Sequence, residues 1–243
     1  MQPDSRLLKI SQPLLKTKLH NFKKKAVIFD LDGTILDTIG DIAYAVNSAL
    51  EFYGFPHRTE EEVKGFIGNG SLMLIRRALS DENAEKYDDG FVKEVRARFR
   101  EEYQKHMLDK TYPYEGISEL VDELKSMGIL SAVVTNKDDS SAVPMIKHYF
   151  GNRFDYVRGV RSFNERKPNP DLTLSLLSEW GVTPEETIFV GDGMADLLVS
   201  KACGIDYIPI GYGYSEPKRL FAECQKNPVS DVSSLRDEIL KCL

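Results

Sequence analysis

The segment AVIFDLDGT, residues 26–34, is the stretch from which the fold of this 243-residue chain can be predicted. Ala26–Phe29 is an apolar run of strand length, and Asp30 and Asp32 follow it directly. Acids at i and i+2 leaving a strand project to the same side, and open parallel sheets bind ligands outside the carboxyl ends of their strands. Gly33 lets the backbone turn and approach an anion closely.

Two buried carboxylates about 4 Å apart repel by roughly 4 kcal/mol at an effective dielectric of about 20. If both acids are buried, a proton, a metal or a lysine should offset the repulsion; an acidic turn fully in water is the alternative.

Further apolar runs alternate with helix-length segments along the chain. This alternation predicts βα units and a parallel sheet that is buried on both faces. The predicted strands are Ile129–Val134, Phe154–Val160, Ile188–Val190 and Tyr207–Ile210, and the predicted helices are Glu115–Met127, Pro170–Trp180 and Ala195–Cys203.

The region from about Ile39 to Leu108 has a different pattern, with helical spacing and no convincing strand. The predicted helices are Asp41–Tyr53, Leu72–Leu79 and Ala84–Met107. The simplest interpretation is an all-helical block inserted after the first strand, with chain crossings near residues 37–40 and 108–113. One continuous domain with an irregular helical layer is the alternative.

A second acidic element, Gly191-Asp192-Gly193-Met194-Ala195-Asp196, again follows an apolar strand. Carboxylates from two strand ends are hard oxygen ligands of the kind that suits Mg²⁺, which usually binds one or two carboxylates, waters and a substrate phosphate. Asp196 has two further interpretations, as a group that orients a metal-bound water or as a helix cap.

Two more elements carry polar groups. Thr135-Asn136-Lys137 ends another predicted strand, where a hydroxyl and free backbone N–H groups can hold phosphate oxygens. Lys167 lies in Arg166-Lys167-Pro168, and the proline favours an extended conformation at the lysine. A cation fixed there would balance the acids and bind a phosphate; a surface basic loop is the alternative.

Composition narrows the range of functions. The net charge of −6 argues against a nucleic-acid partner, and no apolar run reaches the roughly 18 residues that a membrane span needs. The three cysteines, Cys203, Cys224 and Cys242, show no CxxC spacing. They predict neither a disulfide framework nor a zinc site, and they fit a reducing cytoplasm.

The order of these motifs resembles the haloacid dehalogenase superfamily, specifically its phosphatase branch. The resemblance spans about Lys25–Glu216. It implies a Rossmann-like α/β core with a parallel sheet and an inserted all-helical cap. The expected division is a basic N-terminal extension at 1–24, a core at 25–38 and 112–243, and a cap at 39–111.

The resemblance also implies a role for each motif residue. Asp30 is the expected nucleophile, and Asp32 is the expected general acid and base. Thr135 is expected to bind the phosphate, and Lys167 to neutralise Asp30 and the transferring phosphoryl group. Mg²⁺ is the expected cofactor, held by Asp30, Asp32 through its backbone carbonyl, and Asp192, with Asp196 as a ligand or an outer partner. Contacts with substrate are expected from Gly33, Thr34 and Asn136.

Finer features resemble the phosphoglycolate phosphatases of that branch. They are Phe66-Ile67-Gly68-Asn69-Gly70 in the insert, Lys137, and Gly211-Tyr212-Gly213-Tyr214 after the last strand. The first of these is expected to be a cap loop that closes over the site. Candidate cations for a second anionic group are Lys64, Arg76 and Arg77. One departure is Gly193, where the family usually has serine.

The expected function is hydrolysis of a small phosphorylated metabolite, a phosphate monoester, in the cytoplasm by a monomer or homodimer. A phosphomutase and a pyrophosphatase remain alternatives because they would share the core residues. A non-enzymatic phosphate-binding module is disfavoured by the complete set of acids, lysine and threonine. A dehalogenase fits poorly, since it would need neither the Mg²⁺ site nor Asp32.

Overall fold

The computed structural model describes residues 23–80 and 87–243. The predicted N-terminal extension lies outside the described residues except for its last two. Of these, Lys24 is buried and donates hydrogen bonds to the carbonyls of Glu185 and Thr187, at 2.6 and 3.2 Å. The Lys24 side chain is thus buried because its ammonium group satisfies carbonyls beside the first strand.

A five-stranded parallel sheet forms the centre of the described residues. Its strands are β1 (Ala26–Phe29), β4 (Leu130–Asp138), β5 (Tyr156–Val160), β6 (Thr187–Gly191) and β7 (Asp206–Pro209). Their order across the sheet is β5-β4-β1-β6-β7. β1 is the middle strand and is fully buried, which explains its continuous apolar sequence. The fold class predicted from the sequence, α/β with a parallel sheet, is confirmed.

Helices cover both faces of this sheet. Val27 and Phe29 face one apolar cluster, which α5 (Ile117–Ser126), α6 (Asp139–Phe150) and α10 (Val232–Cys242) complete. Ile28 faces the opposite cluster with α7 (Asp171–Trp180) and α8 (Met194–Cys203). Alternate residues of β1 thus anchor opposite layers, as the two-residue period of a strand requires.

A helical region lies between β1 and the next strand of the sheet. It is entered and left through an antiparallel ribbon of β2 (Leu36–Asp37) and β3 (Tyr112–Pro113), close to the two predicted chain crossings. Its described helices are α1 (Ile39–Phe52), α2 (Glu60–Phe66), α3 (Ser71–Leu79) and α4 (Asp89–His106). The predicted division into cap and core remains a prediction; "cap" below denotes residues 39–111.

Some elements differ from the sequence expectation. β4 extends to Asp138, so Thr135, Asn136 and Lys137 lie within the irregular end of the strand, where the pairing with β5 shifts register. Four helices were not predicted: α2, α6, α9 (Pro217–Cys224) and α10. No helix within 23–80 or 87–243 is long and apolar enough to cross a membrane.

Candidate active site

The carboxyl ends of β1, β4 and β6 converge on one cleft of about 510 Å³ between the sheet edge and the cap. Asp30 follows β1, Thr135 lies at the end of β4, and Asp192 follows β6. β1 pairs with both β4 and β6 in parallel register, so residues more than 150 positions apart are brought together. This is where open α/β sheets bind their ligands.

Three carboxylates meet at the base of the cleft. One oxygen each from Asp30, Asp192 and Asp196 lies within 4.8 Å of the others. The Lys167 ammonium group donates to Asp30 Oδ1 at 2.7 Å, to Asp196 Oδ1 at 2.6 Å and to the Val134 carbonyl at 2.8 Å. The lysine predicted to balance the acids is therefore buried among them.

The electrostatics of this cluster favour a bound cation. Burial, and then the charges of Asp196 and Asp30, raise the pKa of Asp192 to about 8. Burial also raises the pKa of Asp196 to about 6, against the lowering influence of Lys167. Burial opposes the charge of Lys167, but the two neighbouring carboxylates keep its pKa above the usual value. One ammonium group therefore does not fully neutralise the three acids.

Asp32 lies in a separate environment on the cap side of Asp30. Its Oδ1 accepts hydrogen bonds from the Lys137 ammonium group at 2.8 Å and from the Thr38 hydroxyl at 2.7 Å. The ammonium group of Lys137 also lies 4.5 Å from the centre of the Tyr103 ring, on α4 of the cap. The Asp32 carboxylate is thus fixed by donors and lies outside the three-carboxylate cluster.

The residues expected to hold phosphate differ in where their side chains lie. Thr135 lines the cleft, and its hydroxyl accepts the Lys137 N–H at 3.2 Å. Asn136 borders the cleft, but its side-chain amide is bonded to protein groups: it donates to the carbonyls of Gly68 and Lys167 and accepts the Lys167 N–H. A contact between its side chain and substrate is therefore not supported.

Gly33 and Thr34 are also placed differently from the expectation. The Gly33 N–H donates to the Leu36 carbonyl at 2.9 Å and is not free for an anion. Thr34 is fully buried, away from the cleft lining, and its hydroxyl has no hydrogen-bond partner in the part of the chain that is described. The reason is a tight turn on the Leu31 carbonyl, which directs Thr34 into the interior.

Tyr214 was not predicted as a site residue. Its N–H donates to Asp192 Oδ2 at 2.7 Å, and its hydroxyl donates to Asp37 Oδ1 at 2.9 Å and accepts the Thr38 N–H at 2.6 Å. The tyrosine therefore joins the Asp192 loop to the start of the cap. The Gly-Tyr-Gly-Tyr motif after the last strand was the available signal.

The cap supplies the outer wall of the cleft. The predicted loop, residues 66–70, lies between α2 and α3, and its residues 67–70 line the cleft together with Lys64 and Arg77. Arg76 points elsewhere and pairs with Asp89.

Gly193 stands where the family usually has serine. Its backbone N–H donates to Asp196 Oδ2 at 3.0 Å.

The comparison with known families is decisive. A family model described as haloacid dehalogenase-like hydrolase matches residues 27–210. The chain belongs to this family. The predicted family and the predicted enzyme class, a phosphoric monoester hydrolase, are confirmed.

Individual relatives resemble the chain over most of its length. The phosphoglycolate phosphatase of Pseudomonas putida is 33% identical over 215 residues, which cover 87% of this chain and 78% of that protein. That of Vibrio vulnificus is 35% identical over 223 residues, covering 89% and 96%. A crystal structure of a predicted phosphoglycolate phosphatase from Haemophilus somnus aligns with a TM-score of 0.80 at 29% identity, covering 91% of this chain and 99% of that one.

Proposed function

We propose that this protein is a Mg²⁺-dependent phosphatase that hydrolyses a small phosphate monoester through an aspartyl-phosphate on Asp30. The observation that carries the proposal is the meeting of Asp30, Asp192 and Asp196 around Lys167 at the base of the cleft. An anionic nucleophile can approach a phosphate only where cations reduce the repulsion.

The donor set fits Mg²⁺. Its ligands lie about 2.1 Å from the ion, so oxygens that share one ion are roughly 3 to 4 Å apart, close to the separation of at most 4.8 Å found here. Asp30 and Asp192 would hold the ion with the Asp32 backbone carbonyl, and Asp196 would hold Lys167 and the Gly193 N–H. When bound, Mg²⁺ supplies positive charge to the phosphate and to Asp30.

Asp30 and Asp32 divide the proton and phosphoryl chemistry. Asp30 attacks phosphorus and forms the covalent intermediate, which splits one difficult displacement into two easier ones. Asp32 protonates the leaving oxygen and later takes a proton from the attacking water. The donors Lys137 and Thr38 keep its carboxylate in position for both transfers.

Thr135 and Lys167 would stabilise the transferring phosphoryl group. Lys167 already contacts Asp30, the nucleophile, so its charge lies where negative charge develops. Thr135 lies at the end of the neighbouring strand and can turn its hydroxyl toward a phosphate oxygen.

Substrate class follows from the relatives. The similar proteins are named for phosphoglycolate, a small phosphorylated acid, and we place this chain's substrate in the same class.

We place the reaction in the cytoplasm, because the three cysteines, all in the described part of the chain, are unpaired.

The decisive experiment combines phosphate release with one substitution. The chain is assayed with p-nitrophenyl phosphate and with a panel of phosphoglycolate, sugar phosphates, nucleotides and pyrophosphate, with Mg²⁺ or with EDTA. We expect Mg²⁺-dependent release that Asp30→Asn abolishes, whereas Asp122→Asn, at an exposed ion pair with Arg153, retains it.

Other results would overturn the proposal in distinguishable ways. Full turnover by Asp30→Asn would refute the nucleophile, and equal activity in EDTA would refute the metal. Release confined to pyrophosphate, or conversion of a sugar 1-phosphate without net release, would indicate the pyrophosphatase or the mutase. Inactivity of the wild type on every compound would indicate a binding module.

A further inference from the structure

We infer that Asn136 is a positioning residue that couples closure of the cap loop to the placement of Lys167. This inference rests on the proposed function, since it assigns Lys167 a role in phosphoryl transfer. The structural basis is a single buried amide that bonds both the backbone of Lys167 and the cap loop of residues 66–70.

The first step concerns Lys167. Its N–H donates to Asn136 Oδ1 at 2.7 Å, and its carbonyl accepts from Asn136 Nδ2 at 3.0 Å. Both backbone polar groups of the lysine are therefore held by one side chain that lies 31 positions earlier and is only 6% exposed. Lys167 lies in no strand of the described residues, so the Asn136 amide supplies the backbone hydrogen bonds that a neighbouring strand would otherwise give.

The second step concerns the cap. The same Nδ2 donates to the Gly68 carbonyl at 3.0 Å. A side-chain amide has two donor hydrogens, so one serves Lys167 and the other serves the cap loop. Both donors are used when the cap lies in this position, and neither is available to a substrate.

A second link runs in parallel between the same two segments. Arg166, the neighbour of Lys167, donates to the Asn69 carbonyl at 3.2 Å. Movement of the cap loop away from the core would break this bond and the bond to Gly68 together. Asn136 would then keep its two bonds to Lys167 but lose the third, which steadies its side chain from the cap side. Closure and alignment of the lysine are thus favoured together.

Two variants test the inference. The substrate is p-nitrophenyl phosphate, and inorganic phosphate is the inhibitor, because its affinity depends on the position of the Lys167 ammonium group. Asn136→Ala removes all three bonds; Asn136→Asp keeps an acceptor for the Lys167 N–H and loses both donors. Asn169→Ala is the matched control, because that asparagine lies in the same loop and its side chain, within the described residues, bonds to the Asn164 carbonyl and the Asp171 N–H.

The expected result is a lower kcat with a weaker inhibition by phosphate. Since misplacement of a catalytic group by about 1 Å costs on the order of 100-fold, we expect kcat to fall about 10- to 100-fold in Asn136→Ala. In Asn136→Asp a carboxylate oxygen would face the carbonyls of Gly68 and Lys167, so we expect that variant to lose at least as much. We expect Asn169→Ala to remain within about twofold of wild type. A purely structural role would lower the Tm and the folded fraction but leave the phosphate inhibition constant of the folded enzyme unchanged, and that result would overturn the inference.

A measurement on the wild type removes dependence on the folding of the variants. Hydrogen exchange of the Lys167 amide and of residues 67–69 is followed with and without Mg²⁺ and inorganic phosphate. We expect protection to rise at both places together. Protection of the loop with no change at Lys167 would refute the coupling. An inactive wild type would instead count against the proposed function.

Discussion

Replacement of Gly33 by alanine separates strain in the backbone from damage to the proposed metal site. Gly33 has φ of +76°, a region that alanine adopts poorly. A methyl group there would lie 2.8 Å from Asp192 Oδ2 and 3.0 Å from the Tyr214 ring. Gly54 has nearly the same φ, +75°, with nothing within 4 Å of its methyl position. Gly54→Ala is therefore a control for the backbone strain alone.

The two variants differ by the clash with Asp192. Each should lose about 1–2 kcal/mol of unfolding free energy from the left-handed backbone. Ordinary contact begins at 3.4 Å, so in Gly33→Ala the Asp192 carboxylate must retreat by about 0.6 Å. A shift of that size predicts roughly a 10-fold lower kcat/KM, since about 1 Å costs on the order of 100-fold. The half-saturating Mg²⁺ concentration should rise by a similar factor.

The assay is Mg²⁺-dependent hydrolysis of p-nitrophenyl phosphate, with urea unfolding for stability. Gly54→Ala should keep the wild-type kcat/KM and Mg²⁺ dependence at a lower stability. Gly33→Ala should show both losses. If folded Gly33→Ala retained the Mg²⁺ dependence and kcat/KM of the wild type, the contact between Gly33 and Asp192 would have no part in the metal site.

Three further outcomes follow from other contacts. The pKa of Asp192 is raised to about 8 from an ordinary 3.8. Between these two values the metal-free folded protein holds a proton that the unfolded chain has lost. The free energy of unfolding therefore falls as pH rises from about 4 to about 8. The gain in Tm on adding Mg²⁺ should therefore increase between about pH 5 and about pH 8 in thermal unfolding, and a gain independent of pH would contradict this. Asp41→Ala should lower the free energy of unfolding in urea by about 3 kcal/mol, and Asp41→Asn should lower it less. The reason is that the buried Asp41 carboxylate accepts hydrogen bonds from the Thr111 N–H and hydroxyl, at 2.9 and 2.8 Å. Equal stability of the two variants would show that these hydrogen bonds do not stabilise the fold. Lys137→Met should lower kcat about 10-fold by releasing Asp32, whereas an unchanged kcat would show that the lysine does not position the acid.

The sequence predicted the core sheet well because burial on both faces imposes a simple pattern. β1 is enclosed by two layers of helices, so its residues must be apolar throughout. Acids that follow such strands must lie at one edge, because parallel strands share their direction. These local patterns predicted that Asp30 and Asp192 lie together, whereas only the resemblance to the haloacid dehalogenase superfamily joined Lys167 to them.

Side chains whose direction depends on distant partners were harder to predict. Thr34 follows the motif closely, yet a turn on the Leu31 carbonyl directs it inward. Asn136 adjoins Thr135 but bonds to Lys167 and to the cap, segments whose positions no local pattern specifies. By contrast, α2 had a readable signal, since Thr59 and Glu62 form a capping box at its start.

Charge explains why the cluster is suited to a divalent ion rather than to a second lysine. Three carboxylates and one ammonium group leave a formal charge of −2 when Asp30, Asp192 and Asp196 are ionised around Lys167. A monovalent ion would leave the site negative toward an arriving phosphate, whereas a divalent ion would neutralise it. Without such an ion, burial beside the other carboxylates keeps a proton on Asp192 below about pH 8. The same low-dielectric environment that makes the free acids unfavourable therefore strengthens their attraction for a doubly charged cation.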